Sequence, residues 1–202
     1  MSLTLRAMLL VLFVSLCAEA QPRTLAVYAG SAQALNAEAR LAMHGELQRL
    51  LAPAGYDVVL KNSSERKAGE DFELIVVASF NGSCSASASA VKPVAATLAD
   101  TSIADGHILP FFRVDCDRIM QMLGPQPDPS AIGRALGRVM AHEIYHIAAR
   151  TTDHHDSGVA KAAFSARDLT SPRFDFDSWS LSRMRPSSIA ASSESSGDAA
   201  GR

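Results

Sequence analysis

The sequence predicts an α+β fold, built from a mixed, twisted sheet of about four to five strands, an N-terminal helix and a long second helix. Short apolar runs bounded by glycine, proline or polar residues are typical of strands. Two longer segments carry apolar residues at the spacing of an amphipathic helix. A chain of 202 residues, 48% of them hydrophobic, is long enough to bury the core of one domain.

The first twenty residues are predicted to be an export signal rather than part of the fold. Arg6 supplies a positive charge, residues 7–16 are apolar, and residues 18–20 (Ala-Glu-Ala) have the small-x-small pattern of a cleavage site. The apolar run is too short to span a bilayer. We therefore expect a mature chain beginning at Gln21, secreted or periplasmic, without a stable membrane anchor.

The first half of the mature chain alternates strand and helix signals. Residues 24–28 (TLAVY) are predicted to be a first strand, and residues 32–51 an amphipathic helix that a following proline and glycine end. Residues 56–60 (YDVVL) are predicted to be a second strand. Residues 72–80 (FELIVVASF) are the most continuous apolar run, which favours a central strand covered on both faces.

A hairpin is predicted next. Residues 98–103 and 107–114 flank residues 104–106 (Ala-Asp-Gly), which are a turn signal. Pro110 restricts the second arm to an edge or a bulge, because proline has no N–H to donate to a neighbouring strand. Residues 117–123 are predicted to form a short helix.

The long helix is predicted over residues 129–150. Asp128 can cap its first turn, and Pro129 stands at the first helical position, where its missing N–H is harmless. Gly133 and Gly137 have two interpretations: they allow another backbone to approach closely, or they are simply tolerated in packing. The second interpretation is preferred from the sequence.

The chain beyond this helix is expected to be held by large apolar side chains. From Pro186 the sequence is rich in Ser and Ala, so residues 186–202 are predicted to be a disordered tail. The folded domain is thus predicted to span residues 21–185. The expected anchors are Phe164, Leu169, Phe174, Phe176 and Trp179.

Cysteine count and charge restrict the environment and the partners. Removal of the signal takes Cys17 and leaves Cys84 and Cys116, which are expected to pair in an oxidising compartment. The alternative makes Cys84 an inhibitory metal ligand. The net charge of −2 and the pI near 6.3 argue against nucleic acid as a partner.

An H-E-x-x-H motif lies inside the long helix, formed by His142, Glu143 and His146. Residues four apart share one helix face, about 6 Å apart along the axis, so both histidines can bind one zinc ion. Glu143 lies about 100° round the helix from His142 and can act on a water molecule without being a ligand. His154 and His155 follow closely. The alternative is a solvated helix face on which the histidines are incidental.

With this motif, the order of strand, helix, two strands, hairpin and long helix resembles the N-terminal half of the zincin metallopeptidases. Within that class it looks most like the metzincins, in which a third histidine follows the active-site helix. Their helix-ending glycine and third ligand correspond to Ala149 and Thr152 here, which are unsuited to those roles. The resemblance therefore implies a displaced third ligand, His154, with His155 as the alternative and Asp153 as a weaker candidate.

The chain also resembles small exported bacterial proteins that carry H-E-x-Y-H, a later histidine and a Gly-x-x-Lys sequence. Here these features are residues 142–146, His154, Gly158 and Lys161. The likeness favours His154 over His155 and leaves Gly158 to redirect the chain. It also makes Lys161 a possible contact for substrate or oxyanion, although an ordinary solvent-exposed lysine is the alternative.

These resemblances imply a zinc metallopeptidase with one Zn²⁺ per chain, acting on a peptide or protein substrate. Glu143 would be the general base for a water molecule at the zinc. The substrate would extend along the edge arm of the hairpin by main-chain hydrogen bonds. The alternative function is a catalytically silent zinc-binding domain that holds a peptide or protein partner. A plain structural exported protein without metal is a third possibility.

Overall fold

Five strands form one mixed sheet in the computed structural model, which describes residues 22–30, 35–65, 67, 69–85 and 97–185. The strands are β1 (Arg23–Ala29), β2 (Tyr56–Asn62), β3 (Leu74–Asn81), β4 (Ala99–Ala104) and β5 (His107–Asp115). The helices are α1 (Ala37–Leu51), α2 (Cys116–Leu123), α3 (Pro129–Ala149), α4 (Ala166–Thr170) and α5 (Ser178–Met184). The predicted α+β class, with a mixed sheet, an N-terminal helix and a long later helix, is confirmed.

The strand order is β2-β1-β3-β5-β4, with β4 as an edge strand that pairs antiparallel to β5 while the other neighbours are parallel. Asp105 and Gly106 both have positive φ in the tight turn between β4 and β5, as the predicted hairpin requires. The β4–β5 register is irregular between the pairs Thr101–Phe112 and Ile103–Ile108. Pro110 lies in this irregular stretch of β5, which confirms the bulge interpretation.

Strand β3 is central, as predicted, but the prediction that both of its faces are covered is wrong. Val76 and Ala78 are buried, whereas Ile75 and Ser79 on the opposite face are exposed. The continuous apolar run therefore does not report two-sided burial here.

Helix α1 begins at Ala37 rather than at the predicted residue 32. The Asn36 side chain accepts a hydrogen bond from the backbone N–H of Ala39, which fixes the helix start. The sequence prediction followed apolar spacing alone and passed over this cap. Residues 31–34, where the predicted helix would have started, lie outside the described residues.

The two short helices that follow α3, namely α4 and α5, were not predicted. Asp177 caps α5, and Ser165 and Asp168 form a reciprocal capping box at α4. Leu169 and Phe176 are buried as expected, and Phe164 and Phe174 pack against the core. The prediction for Trp179 is wrong: its side chain is 44% exposed and lies outside the core.

Helix α3 packs on α1 through its glycines. A Cβ atom at Gly133 would lie 2.2 Å from the carbonyl oxygen of Ala39, and one at Gly137 would lie 2.9 Å from that of Met43. Both distances are far below van der Waals contact. The interpretation preferred from the sequence, simple packing tolerance, is therefore wrong, and close approach of another backbone is correct.

A buried ion pair lies at the same helix contact. Arg138 of α3 is fully buried and donates to Glu46 of α1 and to the carbonyl oxygens of Asp168 and Ser171. Burial alone would raise the pKa of Glu46, but hydrogen bonds from Arg49 and Arg138 outweigh it and hold the pKa below its ordinary value. Arg138 thereby connects α1, α3 and the chain around α4.

The predicted disulfide between Cys84 and Cys116 is present, which rules out the alternative that made Cys84 a free metal ligand. It joins the chain after β3 to the start of α2. The predicted signal sequence (residues 1–20) and the predicted tail (residues 186–202) lie outside the described residues. Within the described ranges, none of the helices combines the length and apolar character needed to cross a membrane.

Replacement of Gly133 by alanine is expected to destabilise the protein by about 1–3 kcal/mol, because the new methyl group overlaps a rigid backbone carbonyl. Gly45→Ala is the matched control: the site is within α1, and a methyl group there would have no neighbouring atom within 4 Å. At this position alanine should stabilise the protein by about 0.5–1 kcal/mol through helix propensity. Urea unfolding of both variants tests this, and equal effects would contradict the glycine contact.

Candidate metal centre

The last two turns of α3 place His142, Glu143 and His146 beside one another. The helix ends at Ala149, and Arg150 follows in the left-handed conformation (φ 49°, ψ 48°), which the sequence did not signal because glycine usually occupies such positions. The N–H groups of Arg150 and Thr151 both donate to the carbonyl oxygen of His146. This turn reverses the chain at once and leads it back past the helix.

The reversed chain brings His154 to the two helix histidines. The closest ring nitrogens of His142, His146 and His154 all lie within 4.8 Å of one another. The Nε2 atoms of His142 and His146 are 3.1 Å apart. A tetrahedral ion with metal–nitrogen bonds of about 2.0–2.1 Å would separate two ligand nitrogens by about 3.3 Å. The three histidines are therefore placed so that they can hold one metal ion.

The outer nitrogens of the two helix histidines are bound to backbone carbonyls. The Nδ1 atom of His142 lies 2.7 Å from the carbonyl oxygen of Val159, and that of His146 lies 2.8 Å from that of Thr151. A carbonyl only accepts, so each Nδ1 carries a proton and donates it. Each neutral ring is left with an unprotonated Nε2, and these two atoms lie 3.1 Å apart. A cation between them satisfies this arrangement.

Burial keeps these two rings neutral. It lowers the pKa of His142 to about 4, assisted by the nearby His146 and His154 and opposed by the bond to Val159. Burial also lowers the pKa of His146, again against the effect of its carbonyl partner. A proton shared between the two Nε2 atoms is therefore disfavoured near neutral pH. Both rings are therefore in the neutral form that binds a metal ion.

His154 and His155 have separate environments. His154 is exposed, and its ring centre lies 4.8 Å from that of His146 and 5.2 Å from that of His142. The Nδ1 atom of His155 lies 3.0 Å from the carboxylate of Asp177, and its ring stacks on Trp179. Of the two candidates for a third ligand, the structure thus brings His154 to the cluster.

The weaker candidate, Asp153, is not in the cluster of three histidines. Its carboxylate accepts a hydrogen bond from the hydroxyl of Thr151, 3.0 Å away, and its backbone N–H donates to the same hydroxyl oxygen. Asp168, which is near the motif in sequence, binds Lys161 and Ser165 instead of a histidine. The acidic residues thus shape the loop around the cluster and leave the histidines to backbone carbonyls.

Glu143 lies next to the histidines and is 4% exposed. Burial raises the pKa of its carboxyl group to about 7, although a 2.6 Å hydrogen bond from the hydroxyl of Thr101 acts in the opposite direction. Thr101 belongs to the edge strand β4, so this bond connects the strand to the carboxylate. A carboxyl group that titrates near neutral pH beside a histidine cluster is a suitable general base.

A cavity of about 490 Å³ opens beside this cluster. Its walls come from β4, α2, α3 and the chain around Lys161. Lys161 lines the cavity, and its ammonium group donates to Asp168 at 2.7 Å. Lys161 is therefore neither a plain solvent-exposed lysine nor a free cation. To contact a substrate, its ammonium group would have to leave Asp168 or donate to both Asp168 and the substrate.

Three parts of the site were missed by sequence reasoning. The carbonyl partners of the histidines belong to the backbone, which carries no residue signature. Thr101 lies more than forty residues before Glu143 and meets it only through tertiary structure. Arg118 of α2, which lines the cavity, was within a predicted helix and carried no motif. The hairpin prediction could have directed attention to Thr101, since it placed an edge strand near the motif.

Comparison with known proteins adds no family assignment: no protein-family model matches the sequence. No curated protein matches it either.

Replacement of His142, His146 or His154 by alanine is expected to abolish tight binding of one Zn²⁺ per chain. Each change removes a nitrogen that no neighbouring side chain replaces in the histidine cluster. His155→Ala is the matched control and should bind zinc normally, since its ring lies on Asp177 and Trp179. Zinc titration against a competing chelator, with elemental analysis, measures this. Loss of zinc in His155→Ala with retention in His154→Ala would reverse the assignment.

The replacement Glu143→Gln is expected to stabilise the metal-free protein at pH 8 and to leave it nearly unchanged at pH 4. The folded-state pKa of about 7 exceeds the ordinary 4.5, so the fold binds the proton more tightly than the unfolded chain does. The stability that comes from this proton is present below pH 4.5 and is lost as the pH rises through 7. The gain at pH 8 should be about 1–3 kcal/mol.

Urea unfolding at the two pH values measures this difference, with Asp71→Asn as the control at an exposed acidic residue. The control should show no comparable dependence on pH. An equal effect of Glu143→Gln at pH 4 and pH 8 would contradict a buried carboxyl group with a raised pKa.

Proposed function

We propose that this protein is an exported zinc-dependent endopeptidase of the zincin class. His142, His146 and His154 would hold the zinc ion, and Glu143 would be the general base. The observation that carries the proposal is the pair of Nε2 atoms, 3.1 Å apart, with a buried carboxyl group beside them. Catalytic zinc sites have three protein ligands and leave one position open, and a cluster of three histidines is compatible with that donor set.

Zinc is favoured among the metals that imidazole binds because the cluster consists of three histidines without thiolate or carboxylate members. His154 is the exposed member, so the open side of the cluster faces solvent and the cavity. When bound at such a site, zinc polarises a peptide carbonyl and lowers the pKa of a water molecule towards about 7. The carbonyl partners of His142 and His146 would fix the orientation of both rings.

Glu143 would accept a proton from the attacking water and transfer it to the leaving amine. Its pKa of about 7 belongs to the metal-free protein, and a bound cation would favour the carboxylate form that accepts the proton. Thr101 donates to Oε2 of Glu143 and leaves Oε1 for the water. A positively charged metal nearby would lower the pKa of Glu143 from the value of the protein alone.

The edge strand β4 supports a peptide as substrate. Its outer edge pairs with no described strand, and Ala99, Asp100, Thr101 and Ile103 line the cavity. An extended peptide could therefore add to β4 by main-chain hydrogen bonds. Thr101 lies on this strand and contacts Glu143, so a peptide bound there would pass the proposed base. The disulfide supports an oxidising compartment, in agreement with the predicted export signal.

The replacement Glu143→Gln is expected to retain one zinc per chain and to lower the rate of peptide cleavage by at least about 10²–10⁴-fold, the usual contribution of general base catalysis. The amide keeps the size of the side chain but cannot accept the proton. The measurement combines zinc analysis with cleavage of a denatured protein mixture, read by mass spectrometry. His155→Ala serves as the control and should cleave at the normal rate.

Four outcomes separate the candidate functions. Zinc binding with cleavage that depends on Glu143 supports the peptidase. Stoichiometric zinc without cleavage by the natural sequence favours a zinc-binding domain that holds a partner. Cleavage that survives Glu143→Gln would overturn the role of Glu143, and absence of zinc binding would overturn the metal site itself.

A further inference from the structure

One cationic side chain in the cavity is not satisfied by its described neighbours. Arg118 lines the cavity, and its Nε atom is buried without a hydrogen-bond partner in the described part of the chain. Its guanidinium also forms no ion pair with a described carboxylate. By contrast, Lys161 lines the same cavity and is paired with Asp168. Arginine remains charged in proteins, so Arg118 brings to the cavity wall a positive charge without an ion-pair partner among the described residues. The two acidic residues that line the same cavity have other partners: Asp100 pairs with Arg113, and Glu143 accepts from Thr101.

Arg118 is placed in the cavity by constraints on α2. The helix begins at Cys116, which the disulfide joins to Cys84, and the side chain of Asp115 caps it by accepting from the backbone N–H of Arg118. Arg118 and Met122 are four residues apart, so they lie on one face of α2, and both line the cavity. The backbone from which Arg118 extends is therefore held in position by a covalent bond and a cap.

The cavity that Arg118 lines extends along α3, away from the histidines. Val139, Glu143 and His146 line the cavity from one face of α3, and Val139 precedes Glu143 by one turn, or about 6 Å along the axis. The cavity thus extends from the metal cluster towards the first half of α3. Val139 of α3 and Met122 and Arg118 of α2 all line it.

Part of the cavity lining is apolar. Several hydrophobic side chains line the same cavity as Arg118 and can contact the apolar stem of a bound residue. A partly buried guanidinium is stabilised strongly by a carboxylate that binds it through two parallel hydrogen bonds. The apolar lining residues are Leu98, Ile103, Ile108, Met122, Val139 and Phe164.

We propose that this cavity selects a substrate residue with an apolar stem and a terminal carboxylate, which pairs with Arg118. Glutamate has this chemistry as a side chain, and the chain-terminal carboxylate of a peptide has it as well. This inference rests on the proposed function for the peptide nature of the ligand. Arg118 is a residue that determines specificity: it contacts the substrate, whereas Glu143 and the histidines act on the bond.

The test is a binding experiment with the zinc-loaded Glu143→Gln protein, which should hold peptides without cleaving them. The probes are alanine hexapeptides blocked at both ends, with glutamate, glutamine or leucine at the third residue. An all-alanine hexapeptide with a free terminal carboxylate is the fourth probe, and its amide is the fifth. Binding is measured by calorimetry, and zinc content and thermal unfolding of every protein are checked alongside.

The glutamate peptide is expected to have a dissociation constant at least about tenfold lower than that of the glutamine peptide, because its carboxylate can form a charge-assisted bidentate pair with Arg118. Arg118→Gln should remove this preference, and Arg118→Lys should restore part of it. Arg134→Gln is the matched control: Arg134 belongs to α3, bonds to Ser130 and does not line the cavity. It should leave the preference unchanged. A free terminal carboxylate that binds more tightly than glutamate would identify the terminus as the source of the carboxylate.

Equal binding of the glutamate and glutamine peptides would overturn the inference, and so would a glutamate preference that survives Arg118→Gln. Leucine as the tightest ligand, independent of Arg118, would also overturn it. The proposed peptidase function and the carboxylate preference can be tested independently. Peptide cleavage by the natural sequence without any carboxylate preference removes the inference and keeps the proposed function. Carboxylate binding that depends on Arg118, without cleavage, removes the peptidase and keeps the binding site.

Discussion

Helix α3 can present its histidines at a fixed place because its first half lies against α1 at a distance that only glycine permits. The carbonyl oxygen of Ala39 occupies the space that a methyl group at Gly133 would need. Little more than one turn after Gly133, Arg138 is bound to Glu46 of α1. A fully buried arginine that loses its acidic partner destabilises a protein by about 3–5 kcal/mol, so this pair strongly penalises a shift of α3 along α1.

The position of α3 decides the geometry of the metal cluster at its other end. His142 follows Arg138 by one turn, and the same arginine donates to the carbonyl oxygens of Asp168 and Ser171. The chain that supplies the carbonyl of Val159 therefore lies between two points fixed to α3: the turn at Arg150 and the contact at Arg138. Gly158, at φ 66°, lies against the carbonyl oxygen of Asp175, and this close approach sets the direction of the following residue.

The sequence predicted those features that depend on residues close together in the chain. Apolar runs and turn residues predicted five strand segments and the main helices, and Asp128 with Pro129 predicted the start of α3. The H-E-x-x-H spacing predicted that His142 and His146 share a face, because helix geometry alone decides that. His154 was favoured over His155 only through a resemblance, since two adjacent histidines in a loop have no periodicity to distinguish them.

The rest of the site depends on contacts between distant parts of the chain. Thr101 meets Glu143 because strand pairing places β4 at the sheet edge beside α3, and no spacing in the sequence encodes that meeting. Gly133 was judged by its own segment, where a glycine is merely tolerated, whereas its role is set by the carbonyl of Ala39 on another helix. Arg118 carried no motif, since only the cavity reveals that its guanidinium lacks a partner among the described residues.

Several poorly satisfied groups converge on one cavity. Two unprotonated histidine nitrogens lie 3.1 Å apart, the carboxyl group of Glu143 is buried with its pKa raised to about 7, and Arg118 lacks a counter-charge within the described ranges. Each arrangement costs stability, and other protein atoms do not relieve it. Elsewhere the same chain pairs its buried charge well, as Arg138 and Glu46 demonstrate.

Unsatisfied groups that cost stability and cluster around the histidines are expected of a site that binds ligands. A metal ion between the imidazoles would relieve the first and lower the cost of the second, because a cation stabilises the Glu143 carboxylate. A substrate carboxylate would relieve the third. A merely structural role for the histidines explains none of the three, since a core chosen for stability alone would replace these groups with apolar ones. The unsatisfied groups therefore favour a site that is completed by ligands.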